Sequence, residues 1–141
     1  MFLNTLFAAS SPLAASALVA SGGAIGALGR YQLGRLVIHL MGDEAARGFP
    51  WATFIVNLVG CLVMGLLFGW FIRQGATNEG MRLLLGVGVL GGFTTFSTFS
   101  LELLVLLQRG AFVPALTYAA ASLLAGLAAV FIGVAVMRGA A

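Results

Sequence analysis

The polar chemistry of this chain is concentrated in one run, Gly91-Gly92-Phe93-Thr94-Thr95-Phe96-Ser97-Thr98-Phe99-Ser100, which lies inside an apolar stretch long enough to cross a bilayer. Paired glycines, paired threonines and alternating hydroxyls are poor helix formers. A backbone that loosens at membrane depth frees N–H and C=O groups where no water can satisfy them. Such a break is tolerated only where it is buried in protein or lines a polar cavity. The run therefore marks a place where something polar crosses. Other groups repeat the theme at membrane depth. The Asn57 amide, with donors and an acceptor, is either interhelical glue or the lining of a polar path. Phe96 and Phe99 are three apart on one helix face. They are either core packing or two positive ring edges aimed into a path that suits an anion. Tyr118 and Ser122 are four apart, with hydroxyls that can donate to an anion or return to the helix's own carbonyls. Glu102 follows the run closely and is ionised if it faces a wet vestibule.

Composition sets the frame for these groups. Of 141 residues, 61% are hydrophobic and only 8% are charged. A soluble domain of this size carries far less apolar surface, so the class is integral membrane. All seven basic residues are Arg, scattered along the chain. They form no basic patch for nucleic acid and read as anchors at helix ends. A single Cys, Cys61, excludes an internal disulfide and reads as a small packing residue; the single His, His39, reads as a headgroup contact. No nucleophile–base pair, metal cluster or phosphate loop appears at usable spacing, so the chain is not expected to be an enzyme.

Apolar periods and breaks predict an all-α protein of one domain, with spans at about 12–40, 51–73, 81–107 and 113–138. Residues 1–11 form a lead-in without the basic start of a signal peptide. The third span is broken in mid-membrane by the Gly91–Ser100 run. A loop at Met41–Pro50 holds Asp43, Glu44 and Arg47, and Gln108-Arg109-Gly110 makes a tight turn. Gly22 and Gly26, and Gly65 and Gly69, give flat faces for close backbone approach, within one copy or between copies.

The arginines also bear on orientation. One side of the membrane would hold Arg73, Arg82 and Arg138; the other would hold Arg35, Arg47, Arg109 and arguably Arg30. With so little bias the positive-inside rule fixes no single orientation. This balance reflects either a span end placed on the wrong side or a chain that inserts both ways and assembles as an antiparallel homodimer.

Three segments together resemble the Fluc (CrcB-type) fluoride channel family. They are Gly22-Gly23-Ala24-Ile25-Gly26-Ala27-Leu28-Gly29-Arg30-Tyr31, Thr53-Phe54-Ile55-Val56-Asn57-Leu58-Val59-Gly60, and the Gly91–Ser100 run, which is the most specific. The similarity extends over nearly the whole chain from Ser21 onward. It implies an antiparallel, dual-topology homodimer with two passive fluoride pathways, in the inner membrane of a bacterium, shedding toxic fluoride from the cytoplasm down its gradient. It implies Asn57 as a pore-lining amide, Phe96 and Phe99 as the rings that meet fluoride, and Tyr118 and Ser122 as a polar track. Ser97 and Thr98 match hydroxyl positions near the ion path, and Glu102 a vestibule carboxylate. Gly91 and Thr94 match positions whose carbonyls hold a central structural sodium, two from each subunit. One departure stands out: Gly126, one turn beyond Ser122, has no hydroxyl where some relatives extend the track. The partners implied are fluoride, sodium, membrane lipid and a second copy of the chain, with no nucleic acid. Two other readings are a small dual-topology multidrug exporter and an accessory membrane subunit. The exporter reading lacks a carboxylate in span one, and the accessory reading leaves the Phe96–Ser100 run unexplained.

Overall fold

The structure, a computed structural model, describes residues 11–74 and 78–139, with the backbone alone at 43–47. All of the lead-in but Ser11 (residues 1–10), much of the second loop (residues 75–77) and the side chains of Asp43, Glu44 and Arg47 lie outside the described residues. The elements among the described residues are all helices: α1 (Pro12–Gly48), α2 (Trp51–Gln74), α3 (Glu79–Met81), a π-helical stretch (Arg82–Leu90), α4 (Gly91–Phe93), α5 (Phe96–Gln108) and α6 (Phe112–Gly139). Four stretches are long and apolar enough to cross a membrane: Pro12–Gly42, Trp51–Gln74, Glu79–Gln108 and Phe112–Gly139. The chain is a multi-pass membrane protein.

Local sequence explains the ends. Ser11 caps α1 through its Oγ, which accepts from Ala14 N at 3.2 Å. The first helical run extends to Gly48, past the expected loop start at Met41, but it kinks at Gly42, whose φ of 79° favours a residue without a Cβ. Asn78 caps α3 by accepting from Gly80 N and Met81 N. Gly110, at φ 72°, turns the chain after α5, and Pro114 sits in the first turn of α6, where its missing N–H costs nothing.

Glycine faces bring the helices together inside one protomer. A Cβ on Gly26 would overlap the Val89 carbonyl, and one on Gly22 would stand 2.9 Å from Val89 N. This α1 face therefore packs on the π-helical stretch and α4. Gly65 and Gly69 use their bare surface on α6, against Val130 and Val134. Both glycine pairs are thus consumed by packing within the protomer. Few side chains are fully enclosed: Tyr118, at 0% exposure, and Val56, at 2%, are the largest. Leu106, Ala115 and Tyr118 form a small core, wrapped by Phe49, Phe54, Phe99 and Leu103. Most of the apolar surface faces outward, as lipid allows.

Candidate functional site

The third span leaves helical geometry at Thr94 (φ −83°, ψ 158°) and Thr95 (φ −147°, ψ 119°). The Thr94 carbonyl and both backbone groups of Thr95 have partners. The Asn57 amide grips Thr95 in both directions: its Oδ1 accepts from Thr95 N at 2.8 Å, and its Nδ2 donates to Thr95 O at 3.0 Å. Arg30 Nη1 donates to the Thr94 carbonyl at 3.4 Å. Arg30 thus reaches the break. The Thr95 hydroxyl accepts from Thr98 N at 3.2 Å and so caps α5. Gly60 gives the break room: a Cβ there would overlap the Thr94 methyl and stand 3.3 Å from Phe93 Cδ1. An unpaired buried backbone group costs about 1–3 kcal/mol. Asn57 and Arg30 therefore make an extended dipeptide between two helices stable at this point.

The break opens onto a cavity of about 380 Å³ whose lining includes Asn57, Cys61, Thr95, Phe96, Phe99 and Ser122. Phe96 is 80% exposed. Its ring centroid lies 5.8 Å from that of Phe99, which in turn packs on Tyr118 at 4.9 Å. The Ser122 Oγ is buried and has no hydrogen-bond partner. Ser97 and Thr98 are exposed beside Phe96. The Thr95 hydroxyl donates to Thr98 Oγ1 at 3.0 Å and lies 3.3 Å from Ser97 Oγ. The Ser100 hydroxyl turns back to the Phe96 carbonyl at 2.9 Å and offers nothing outward.

Glu102 joins three helices. Its Oε1 accepts from Thr53 Oγ1 at 2.7 Å, and its Oε2 accepts from the Tyr118 hydroxyl at 2.8 Å. It lies on a second cavity, of about 270 Å³, that also includes Phe49, Pro50 and Arg109. The Tyr118 proton is therefore committed to a carboxylate, whereas the Ser122 proton is uncommitted. Sequence reasoning passed over Thr53 and Thr95. Thr53 had a readable signal, four residues before Asn57 on the same face. Thr95 had the signal of a cap, three residues before Thr98.

The oxygen set at the break is compatible with a hard cation. In a continuous helix, Thr95 N–H would serve the Gly91 carbonyl; here Asn57 holds it. The Thr94 carbonyl has one long bond from Arg30 and a second lone pair to offer. Neutral carbonyl oxygens suit hard ions. Among the described residues no cluster of His, Cys, Asp and Glu is arranged to hold a metal.

Comparison with known proteins gives the family. Residues 17–134 match the family model described as "CrcB-like protein, Camphor Resistance (CrcB)". The "Fluoride-specific ion channel FluC" of Novosphingobium aromaticivorans is 53% identical over 129 residues, which is 92% of this chain and 100% of the relative. The FluC of Caulobacter sp. (strain K31) is 48% identical over 122 residues, 86% of this chain and 92% of the relative. That of Rhizobium etli (strain ATCC 51251) is 48% identical over 121 residues, 86% and 94% of the two chains. Similar to these proteins over 86–92% of its length, and matched by the family model over residues 17–134, the chain belongs to the CrcB-like family.

Proposed function

We infer that this chain is a passive, fluoride-selective channel rather than an enzyme, and that it works in a bacterial inner membrane to release toxic fluoride down its electrochemical gradient. The observation that carries the reading is the break in the third span, clamped by Asn57, beside a cavity lined by Phe96, Phe99 and the unpartnered Ser122 hydroxyl. Relatives at about half identity over nearly their whole length bear the name of fluoride-specific channels. Fluoride is small and strongly hydrated, so a selective path must replace its water with donors. The second Asn57 N–H, the Ser122 hydroxyl and the ring edges of Phe96 and Phe99 are such donors. Ser97 and Thr98 add hydroxyls near the break. Tyr118 belongs to the path through Glu102, whose Oε2 accepts from its hydroxyl at 2.8 Å. Conduction needs sites that release as well as bind. Neutral donors in mid-path meet that need better than a fixed cation.

The working unit in this reading is an antiparallel homodimer in membrane lipid. A single protomer leaves Phe96, Ser97 and Thr98 uncovered. Hydroxyls facing lipid are costly, and a second copy would enclose them. The Gly91 and Thr94 carbonyls of both copies would hold a structural sodium at the dimer centre. The ion would supply positive charge to the Gly91 carbonyl, which loses the Thr95 N–H, and to the second lone pair of the Thr94 carbonyl, while the Arg30 charge there limits how tightly it is held.

Efflux from liposomes containing the purified protein, followed in parallel with fluoride and chloride electrodes, tests the function. Fluoride release without chloride release is the expected result. Equal release of both ions, or release of neither from folded dimer, would refute it.

A further inference from the structure

Helices α2 and α6 run side by side in a constant register. A Cβ on Gly65 meets Val130, one on Gly69 meets Val134, and one on Gly126 would stand 3.4 Å from the Cys61 sulfur. Carried back one turn, the same register sets Ser122 level with Asn57. Carried back another, it sets Tyr118 level with Thr53, and these two do meet, on the two oxygens of Glu102. Thr53, Asn57 and Cys61 thus make one ladder with a step of four on α2, and Tyr118, Ser122 and Gly126 make the matching ladder on α6. Two rungs carry a polar side chain on both helices. The third has a glycine on α6 and a thiol on α2.

We propose that the Cys61 thiol is a lining donor of the ion path, supplying on α2 the polar group that Gly126 leaves out on α6. Cys61 lines the same cavity as Asn57, Phe99 and Ser122. It is half-buried there. The neighbouring Ser122 Oγ is enclosed without a partner, so the facing helix carries an uncommitted hydroxyl donor one turn away. A thiol is a weak S–H donor, which suits a site that must let its ion go. A Cβ at Gly126 would lie 3.4 Å from the sulfur, in ordinary contact, so the two positions face each other across the rung. The ordinary alternative is that Cys61 only fills space, and the two roles differ in what replaces it.

This proposal rests on the fluoride-channel reading, so fluoride efflux from wild-type liposomes is measured first. Silence there condemns that reading and not the assignment of Cys61. With wild-type flux in hand, C61S, C61A and the double variant C61A/G126S are compared, each checked for dimer elution. A lining donor predicts that Cys61→Ser conducts at least as fast as wild type. It predicts that Cys61→Ala is slower by roughly three- to tenfold, the worth of one modest hydrogen bond. Restoring a hydroxyl across the rung, in C61A/G126S, should recover most of the rate. Unchanged flux in Cys61→Ala, or slowing in Cys61→Ser as deep as in Cys61→Ala, would overturn the proposal. Should Cys61→Ala not assemble, Cys61→Ser decides alone: a dimer with much reduced flux refutes the donor role, and full flux supports it.

Discussion

Asn57 holds the break and, in the proposed reading, also lines the ion path. Its carbonyl oxygen and one N–H are occupied by Thr95, and one N–H remains. Asn57→Asp keeps the acceptor for Thr95 N but removes the donor to Thr95 O and sets a carboxylate against that carbonyl. It also places negative charge in the proposed anion path. At about 4 Å and intermediate dielectric, such a charge costs roughly 4 kcal/mol, so fluoride efflux should fall by about a thousandfold. Near-normal efflux would reduce Asn57 to glue. Phe96 and Phe99 are predicted to act through their ring edges. Replacing either with Ile keeps bulk and removes the edge, and should slow efflux by about two- to tenfold while dimer elution is unchanged. Wild-type rates in both variants would remove the rings from the path. Tyr118 shows what residue spacing conceals. Its position four before Ser122 is plain in the sequence, but that its proton goes to Glu102 depends on where α5 lies.

At the scale of elements, the third span combines three backbone geometries: π-helical turns, a single turn of α-helix and an extended dipeptide before α5 begins. Its first half packs on the glycine face of α1. That face has no tolerance, because backbone atoms oppose it. Gly26→Leu should therefore destabilise the protomer by about 3 kcal/mol or more, at or above the upper end for overpacking. Thermal unfolding in detergent would register this as a lower midpoint or as loss of folded protein. A midpoint equal to wild type would mean that the two helices do not pack this way. Gly23, one residue from Gly22 in sequence, has nothing within 4 Å of a would-be Cβ, and Gly23→Ala is the matched control.

For the whole molecule, the near-balance of arginines between the two faces predicts dual insertion. A C-terminal reporter should be found on both sides of the membrane, and a strictly one-sided signal would exclude the antiparallel dimer. The sodium assignment belongs to the same scale, since it needs two copies. Exchanging sodium for a large organic cation during purification should lower the melting midpoint of the dimer, by mass action on the state that binds it. An unchanged midpoint across sodium concentrations would argue against a cation at Gly91 and Thr94.

Class, span number and the weak point of the third span are properties of the sequence alone. Hydropathy is summed along the chain, and lipid demands that each apolar stretch satisfy its own backbone. The Gly91–Ser100 run violates that demand locally and so announces itself. Much less of the site's wiring could be read there. That Arg30 bonds the Thr94 carbonyl, that Thr53 and Tyr118 share Glu102, and that Cys61 stands against Gly126 are pairings between helices. Periodicity gives the face of one helix but not the register between two. That register was decided only when glycines let α1 approach the third span and α2 approach α6, because close packing of bare backbone admits few offsets. The extension of helix past Met41 and the π-helical turns were hidden for the same reason. Neither has a composition of its own, and both follow from how neighbouring segments fit.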